Sequence, residues 1–191
     1  MRNDRLPRVA ILFSGIGSNM AYILEHLQGK ELEVVLAVTN NPQAKGVEIA
    51  LSHKIPCEVI EPKNYESRET YDATLVKQLE AYQPDLTVLA GFMRILTPVF
   101  TDRIKAINLH PSLLPRHKGL KAIEKSYEDE FPTGGVSVHW VSSELDGGKV
   151  IVQKEILKEG LNFEAYEQKI KTIEKIALAE GIKKVLNSDM L

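Results

Sequence analysis

Cysteine is nearly missing from this chain: Cys57 is the only one among 191 residues. A single thiol can close no intrachain disulfide and build no cysteine-based metal cluster, and its expected place is that of a small buried hydrophobe. Long apolar runs are missing too. No stretch approaches the ~20 residues that a helix needs to span a bilayer. The polar start Met1–Arg8 lacks the apolar centre of a signal peptide, so a cytoplasmic location and no membrane partner are expected. Nor is there an excess of one charge: 24 Lys and Arg against 26 Asp and Glu give a formal net charge of −2. That balance argues against non-specific nucleic-acid binding. No two histidines stand one helical turn apart, so no metal site is expected. No Gly-x-Ser-x-Gly elbow occurs, which sets a serine hydrolase aside.

What is present is an alternation of apolar runs and amphipathic stretches, without internal repeats or Pro/Ser-rich linkers. Strands are expected at Val9–Ser14, Glu33–Thr39, Glu58–Ile60, Leu86–Ala90 and Lys105–Leu109, then at Val136–Val141 and Lys149–Ile156. Between them helices are expected from the Gly15–Asn19 loop to about Gln28, over Lys45–His53 and over Ser67–Tyr82. Thr97-Pro98 reads as a cap followed by the first helical residue. Asn162 caps a last long helix that Gly181 weakens near its end. The pattern predicts an α/β fold, a doubly wound and mostly parallel sheet flanked by helices. It predicts one domain over residues 1–191, of which about 1–8 is an N-terminal extension. Ligands of such folds bind beyond the carboxyl ends of the strands.

Three segments at those ends invite chemistry. Ser14-Gly-Ile-Gly-Ser-Asn19 joins a strand to a helix start, where free amides and the helix dipole favour an anion; a plain tight turn capped by Ser18 or Asn19 explains it equally well. In Asn108-Leu-His-Pro-Ser, residues two apart on a strand share a face. Asn108 and His110 should therefore project together, a carboxamide and an imidazole suited to an oxyanion and a proton in acyl transfer. The alternative is a structural turn ended by Pro111. Asp146, in Leu145-Asp-Gly-Gly148, either shapes a turn or reaches His110 to orient its ring and favour its charged form. His26, His53 and His117 fall in polar, exposed stretches, and His139 alternates within a strand. The charged face of the last helix, with Lys169, Lys171, Glu174 and Lys175, reads as solvated surface.

Taken together, Ser14-Gly-Ile-Gly-Ser-Asn19, Ala90-Gly-Phe-Met-Arg-Ile-Leu96, Asn108-Leu-His-Pro-Ser-Leu-Leu-Pro115, Gly135-Val-Ser-Val-His139 and Leu145-Asp-Gly-Gly148 resemble the phosphoribosylglycinamide formyltransferases. The motifs keep that family's order and approximate spacing from about Val9 to Leu186. The resemblance implies a Rossmann-like formyltransferase fold and transfer of a formyl group from 10-formyltetrahydrofolate, a co-substrate, to the amine of glycinamide ribonucleotide in purine biosynthesis. It implies Asn108, His110 and Asp146 as the catalytic trio. It assigns the ribonucleotide to Gly17, Ser18, Asn19, Pro111, Lys171 and Glu174, with Glu174 on the glycinamide amine. It assigns the folate to Arg68, Met93, Arg94, Ile95, Leu96, Asn108, Val141 and Asp146. Both substrates are small molecules, and a monomer or a homodimer fits. The chain departs from the family at Ile16, at His117-Lys118 and over Leu120–Ile123, on the ribonucleotide side. Competing readings are a formyltetrahydrofolate hydrolase, a methionyl-tRNA formyltransferase and a non-catalytic nucleotide-binding module. The first two carry an extra domain, for which little room is expected here.

Overall fold

The computed structural model of the chain describes residues 5–191. Seven strands form one sheet: β1 (Arg8–Phe13), β2 (Glu33–Thr39), β3 (Cys57–Val59), β4 (Leu86–Leu89), β5 (Ala106–His110), β6 (Thr133–Trp140) and β7 (Val150–Leu157). Their spatial order is β3-β2-β1-β4-β5-β6-β7. The pairs from β3 through β5 are parallel. The pairs β5–β6 and β6–β7 are antiparallel. Among the described residues six α-helices flank the sheet: α1 (Ser18–His26), α2 (Gly46–Ser52), α3 (Arg68–Tyr82), α4 (Pro98–Thr101), α5 (Ala122–Glu128) and, after the last strand, α6 (Phe163–Leu186).

Strand β1 shows why its run is apolar without alternation. Val9, Ile11 and Phe13 enter a core shared with Ile23 of α1 and Ile170 and Ile182 of α6. Ala10 and Leu12 point the other way, into a core with Tyr71, Leu75 and Leu79 of α3. Both faces of a central parallel strand are covered, so both must be greasy.

Five expectations shift. Arg8 belongs to β1, which therefore starts one residue before Val9; residues 1–4 of the expected extension lie outside the described residues. The early start follows from Asp85, which accepts from the Arg8 N–H at 2.8 Å. Strand β6 begins at Thr133 rather than Val136, because Gly134 and Gly135 serve close approach. A Cβ on Gly134 would lie 1.8 Å from the Tyr166 hydroxyl. Helix α5 is an element beyond those expected; Lys158 Nζ reaches back from beyond β7 to donate to the carbonyls of Ser126 and Asp129 at its end. Cys57 is half-buried on the edge strand rather than in the core. Gly181, expected to weaken the last helix, is buried inside α6, where a Cβ would lie 2.7 Å from Val138 Cγ1. It lets helix and sheet approach.

Candidate active site

The loop after β1 turns sharply into α1. Gly17 has φ +79°, and a Cβ there would meet Gly46 Cα at 2.8 Å, so glycine is required both by conformation and by contact. Among the described residues no side chain caps the first turn of α1, so its free amides are able to bind an anion. Ser18 is exposed beside them. Asn19 turns inward: its Nδ2 stands 3.5 Å from Glu174 Oε2 on α6, and its buried Oδ1 has no partner among the described residues. Glu174 is therefore no solvated surface residue. Burial pushes its carboxyl above the ordinary 4.5, and Asn19, Lys171 and Lys175 offset only part of this. Lys171 itself is exposed and pairs with Glu167 one turn away at 3.5 Å.

The end of β5 carries a second constellation. Asn108 and His110 share a face, and the antiparallel register sets His139 opposite Asn108 and Ser137 opposite His110. Four polar side chains thus share one patch. The loop between β6 and β7 closes over it with Asp146 in a left-handed conformation, φ 52°. Asp146 Oδ2 lies 3.4 Å from His110 Nδ1, and its Oδ1 lies 3.5 Å from His139 Nε2. These exceed settled hydrogen-bond lengths and are close polar contacts. The Gly119 N–H donates to Asp146 Oδ2 at 2.8 Å. Burial pushes the Asp146 carboxyl up, but the His139 contact, the Gly119 N–H bond and the nearby His110 ring outweigh it and hold it below the ordinary range. His110 Nε2 donates to the His117 carbonyl at 2.8 Å, so both its ring nitrogens face oxygen. His139 Nδ1 donates to Trp140 O at 2.9 Å, turning Nε2 toward Asn108 Nδ2 at 3.4 Å. Pro111 stands half-buried next to His110.

The loop after β4 lines the neighbouring stretch of the same sheet edge. Met93 and Ile95 expose apolar side chains, while Leu96 is half-buried against the α3 core. The Arg94 guanidinium stacks over the Tyr71 ring at 3.8 Å. The Arg94 backbone N–H donates to Phe92 O at 3.0 Å. Val141 is half-buried, its N–H donating to Ala106 O at 2.9 Å. Arg68 opens α3 and is exposed.

Residues 7–182 match the pattern of the formyl transferase family. The phosphoribosylglycinamide formyltransferase of Bacillus subtilis is 33% identical over 186 residues, 95% of this chain and 95% of that protein. The crystal structure of the enzyme of that name from Campylobacter jejuni superposes with a TM-score of 0.93 at 48% identity, covering 96% of this chain and 99% of that one. This chain belongs to the phosphoribosylglycinamide formyltransferases. It also resembles part of a larger protein, the trifunctional purine biosynthetic protein adenosine-3 of Drosophila melanogaster. There identity is 40% over 159 residues, and the chain spans 12% of that protein's length. In the Chironomus tentans counterpart it spans 14%.

Two residues of this family member were not distinguishable in the sequence. His139 is 2% exposed and stands between Asn108 and Asp146. Its signal was the shared Val-Ser-Val-His strand, but only cross-strand register brings it to Asn108. His117, expected to be exposed, is mostly buried; its Nε2 donates to Asp129 Oδ2 at 2.6 Å. That anchor helps place the His117 carbonyl on His110.

Proposed function

We propose that this chain transfers the formyl group of 10-formyltetrahydrofolate to the amine of glycinamide ribonucleotide, a step of purine biosynthesis. The observation that carries the reading is the buried Asp146–His110 pair beside Asn108, in a chain of this family. Attack of the amine nitrogen on the formyl carbon forms one C–N bond and a tetrahedral oxyanion. Asn108 and protonated His110, its Nε2–H turning from the His117 carbonyl to the new oxygen, stabilise that oxyanion. Asp146 balances the imidazolium charge. Collapse breaks the bond from carbon to the folate nitrogen, and the proton lost by the amine passes, through His110 or water, to that leaving nitrogen.

The ribonucleotide phosphate is assigned to the uncapped amides of Gly17–Asn19, with Lys171 nearby in charge, and Pro111 lies beside the same substrate. The unpartnered Asn19 Oδ1 is an acceptor, so it suits an amine or hydroxyl donor better than a phosphate. Glu174, a carboxylate kept from water, suits the glycinamide ammonium. Folate is assigned to Arg68, Met93–Leu96, Val141 and the Asp146 loop, the Arg94 carbonyl and Leu96 backbone reading the pterin ring and Arg68 the glutamate tail. The continuous sheet supports one formyltransferase domain over the chain. Soluble substrates fit a cytoplasmic enzyme, monomeric or dimeric.

The test follows absorbance of the folate with and without glycinamide ribonucleotide. Deformylation dependent on the ribonucleotide, with formylated product in equal amount, is expected. Deformylation without it would instead mean hydrolysis, and none in either case would mean a binding module.

A further inference from the structure

Ser14, the first residue after β1, is used by every polar atom it has. Its N–H donates to Gly91 O at 2.9 Å. Its hydroxyl accepts from the Met93 N–H at 2.8 Å, so the loop after β4 is gripped at two points. The same hydroxyl donates its one hydrogen to Asn40 Oδ1 at 2.6 Å, and its carbonyl accepts from Asn41 Nδ2 at 3.3 Å. Those two bonds tie it to the loop after β2. One residue on, the Gly15 carbonyl accepts from the Gly46 N–H at 3.1 Å. Three loops at the carboxyl edge of the sheet therefore meet on one side chain. Two of them are the loops read above as the ribonucleotide site, Gly17–Asn19, and the folate site, Met93–Leu96.

We propose that the Ser14 hydroxyl is a positioning group that sets the spacing between the two substrate loops, and so the approach of the amine to the formyl carbon. The inference rests on the functional reading above. The chemistry of the group is specific. Met93 supplies a donor and Asn40 an acceptor, so the bridging atom must accept one bond and give one, which a hydroxyl does and a methyl does not. Removing it leaves Met93 N–H and Asn40 Oδ1 at partly exposed positions where water replaces the bonds, so stability changes little. Alignment is more demanding. Reacting atoms must be held at about 3–3.5 Å, and a misplacement of about 1 Å costs on the order of 100-fold.

The experiment compares the full chain with Ser14→Ala and Ser14→Thr, in steady-state kinetics on both substrates and in amide exchange at Met93. Ser14→Ala is expected to lower kcat about tenfold or more while each KM moves less than about threefold. Met93 exchange quickens in the same variant. Ser14→Thr, which keeps the hydroxyl, restores both. A Ser14→Ala enzyme whose kcat per folded molecule stays within about twofold of the wild type overturns the proposal, as does an unchanged Met93 exchange rate. If the wild type itself shows no ribonucleotide-dependent deformylation, the functional reading fails instead. Met93 exchange then still decides whether the hydroxyl holds the loop.

Discussion

Glu174 illustrates how a binding group weighs on the fold. Its carboxyl pKa is raised by burial, so the folded chain holds that proton more tightly than the unfolded chain does. The group therefore favours folding below the ordinary 4.5, and that contribution is lost as pH rises through the folded value. Glu174→Gln is expected to raise Tm at pH 7 and to lose the gain below about pH 4.5, while raising KM for the ribonucleotide. Calorimetry across pH checks the first part, and a Tm difference independent of pH would refute it. Asp146 has the opposite sign. Its lowered pKa means that its stabilisation is present above 3.8 and fades as pH falls below that value. Asn108→Ala and His110→Ala are each expected to lower kcat about 100- to 1,000-fold, far more than they weaken folate binding; near-normal turnover in either would remove that residue from the chemistry. Asn108 and His110 were legible in the sequence because a period of two puts them on one face without knowledge of any neighbour. That Asp146 closes on His110, rather than only shaping a turn, needed the loop geometry. His139 needed the register of a second strand, and the anchoring of His117 needed Asp129 on the far side of α5. Distance along the chain hides such contacts.

Elements were most legible where local signals were complete. Strand β2 runs over Glu33–Thr39 as its apolar run predicts. Helix α3 starts at Arg68 because Ser67 accepts from the Thr70 N–H and Thr70 answers in a capping box. Helix α5 lacked any such start: Lys121 precedes it at φ 56° without a capping bond, and its far end is satisfied by Lys158 from another part of the chain. Gly181 is the sharper case. In an isolated helix its replacement by alanine gains about 1 kcal/mol. Here the new methyl would press on Val138, a buried and stiff side chain, at 2.7 Å, and overpacking of this kind costs about 1–3 kcal/mol. Gly181→Ala is expected to destabilise the protein on balance in chemical denaturation. A gain in stability would show that α6 can lift from β6 without cost.

At the scale of the whole molecule, the sheet order makes β1 the neighbour of both β2 and β4, so the crossovers diverge between β1 and β4. The loops of both strands open at that divide, which is where a doubly wound sheet leaves a crevice. The candidate residues come from the loops after β1, β4 and β5, the β6–β7 loop and α6, so ligands at the site should brace the sheet and α6 together. Saturating ribonucleotide at about 100 times its Kd is expected to stabilise the chain by about 2.7 kcal/mol, read as a rise in Tm. No rise would mean that it binds the unfolded chain equally or not at all. The central place of β1 also has a consequence for synthesis. Val9–Phe13 are wholly buried in the finished protein, yet their partner Leu86–Leu89 lies far along the chain and is made much later. At ~5–20 residues per second, the nascent chain carries an unsheltered greasy strand for several seconds. This is a window in which a chaperone can take hold before the enzyme has a centre.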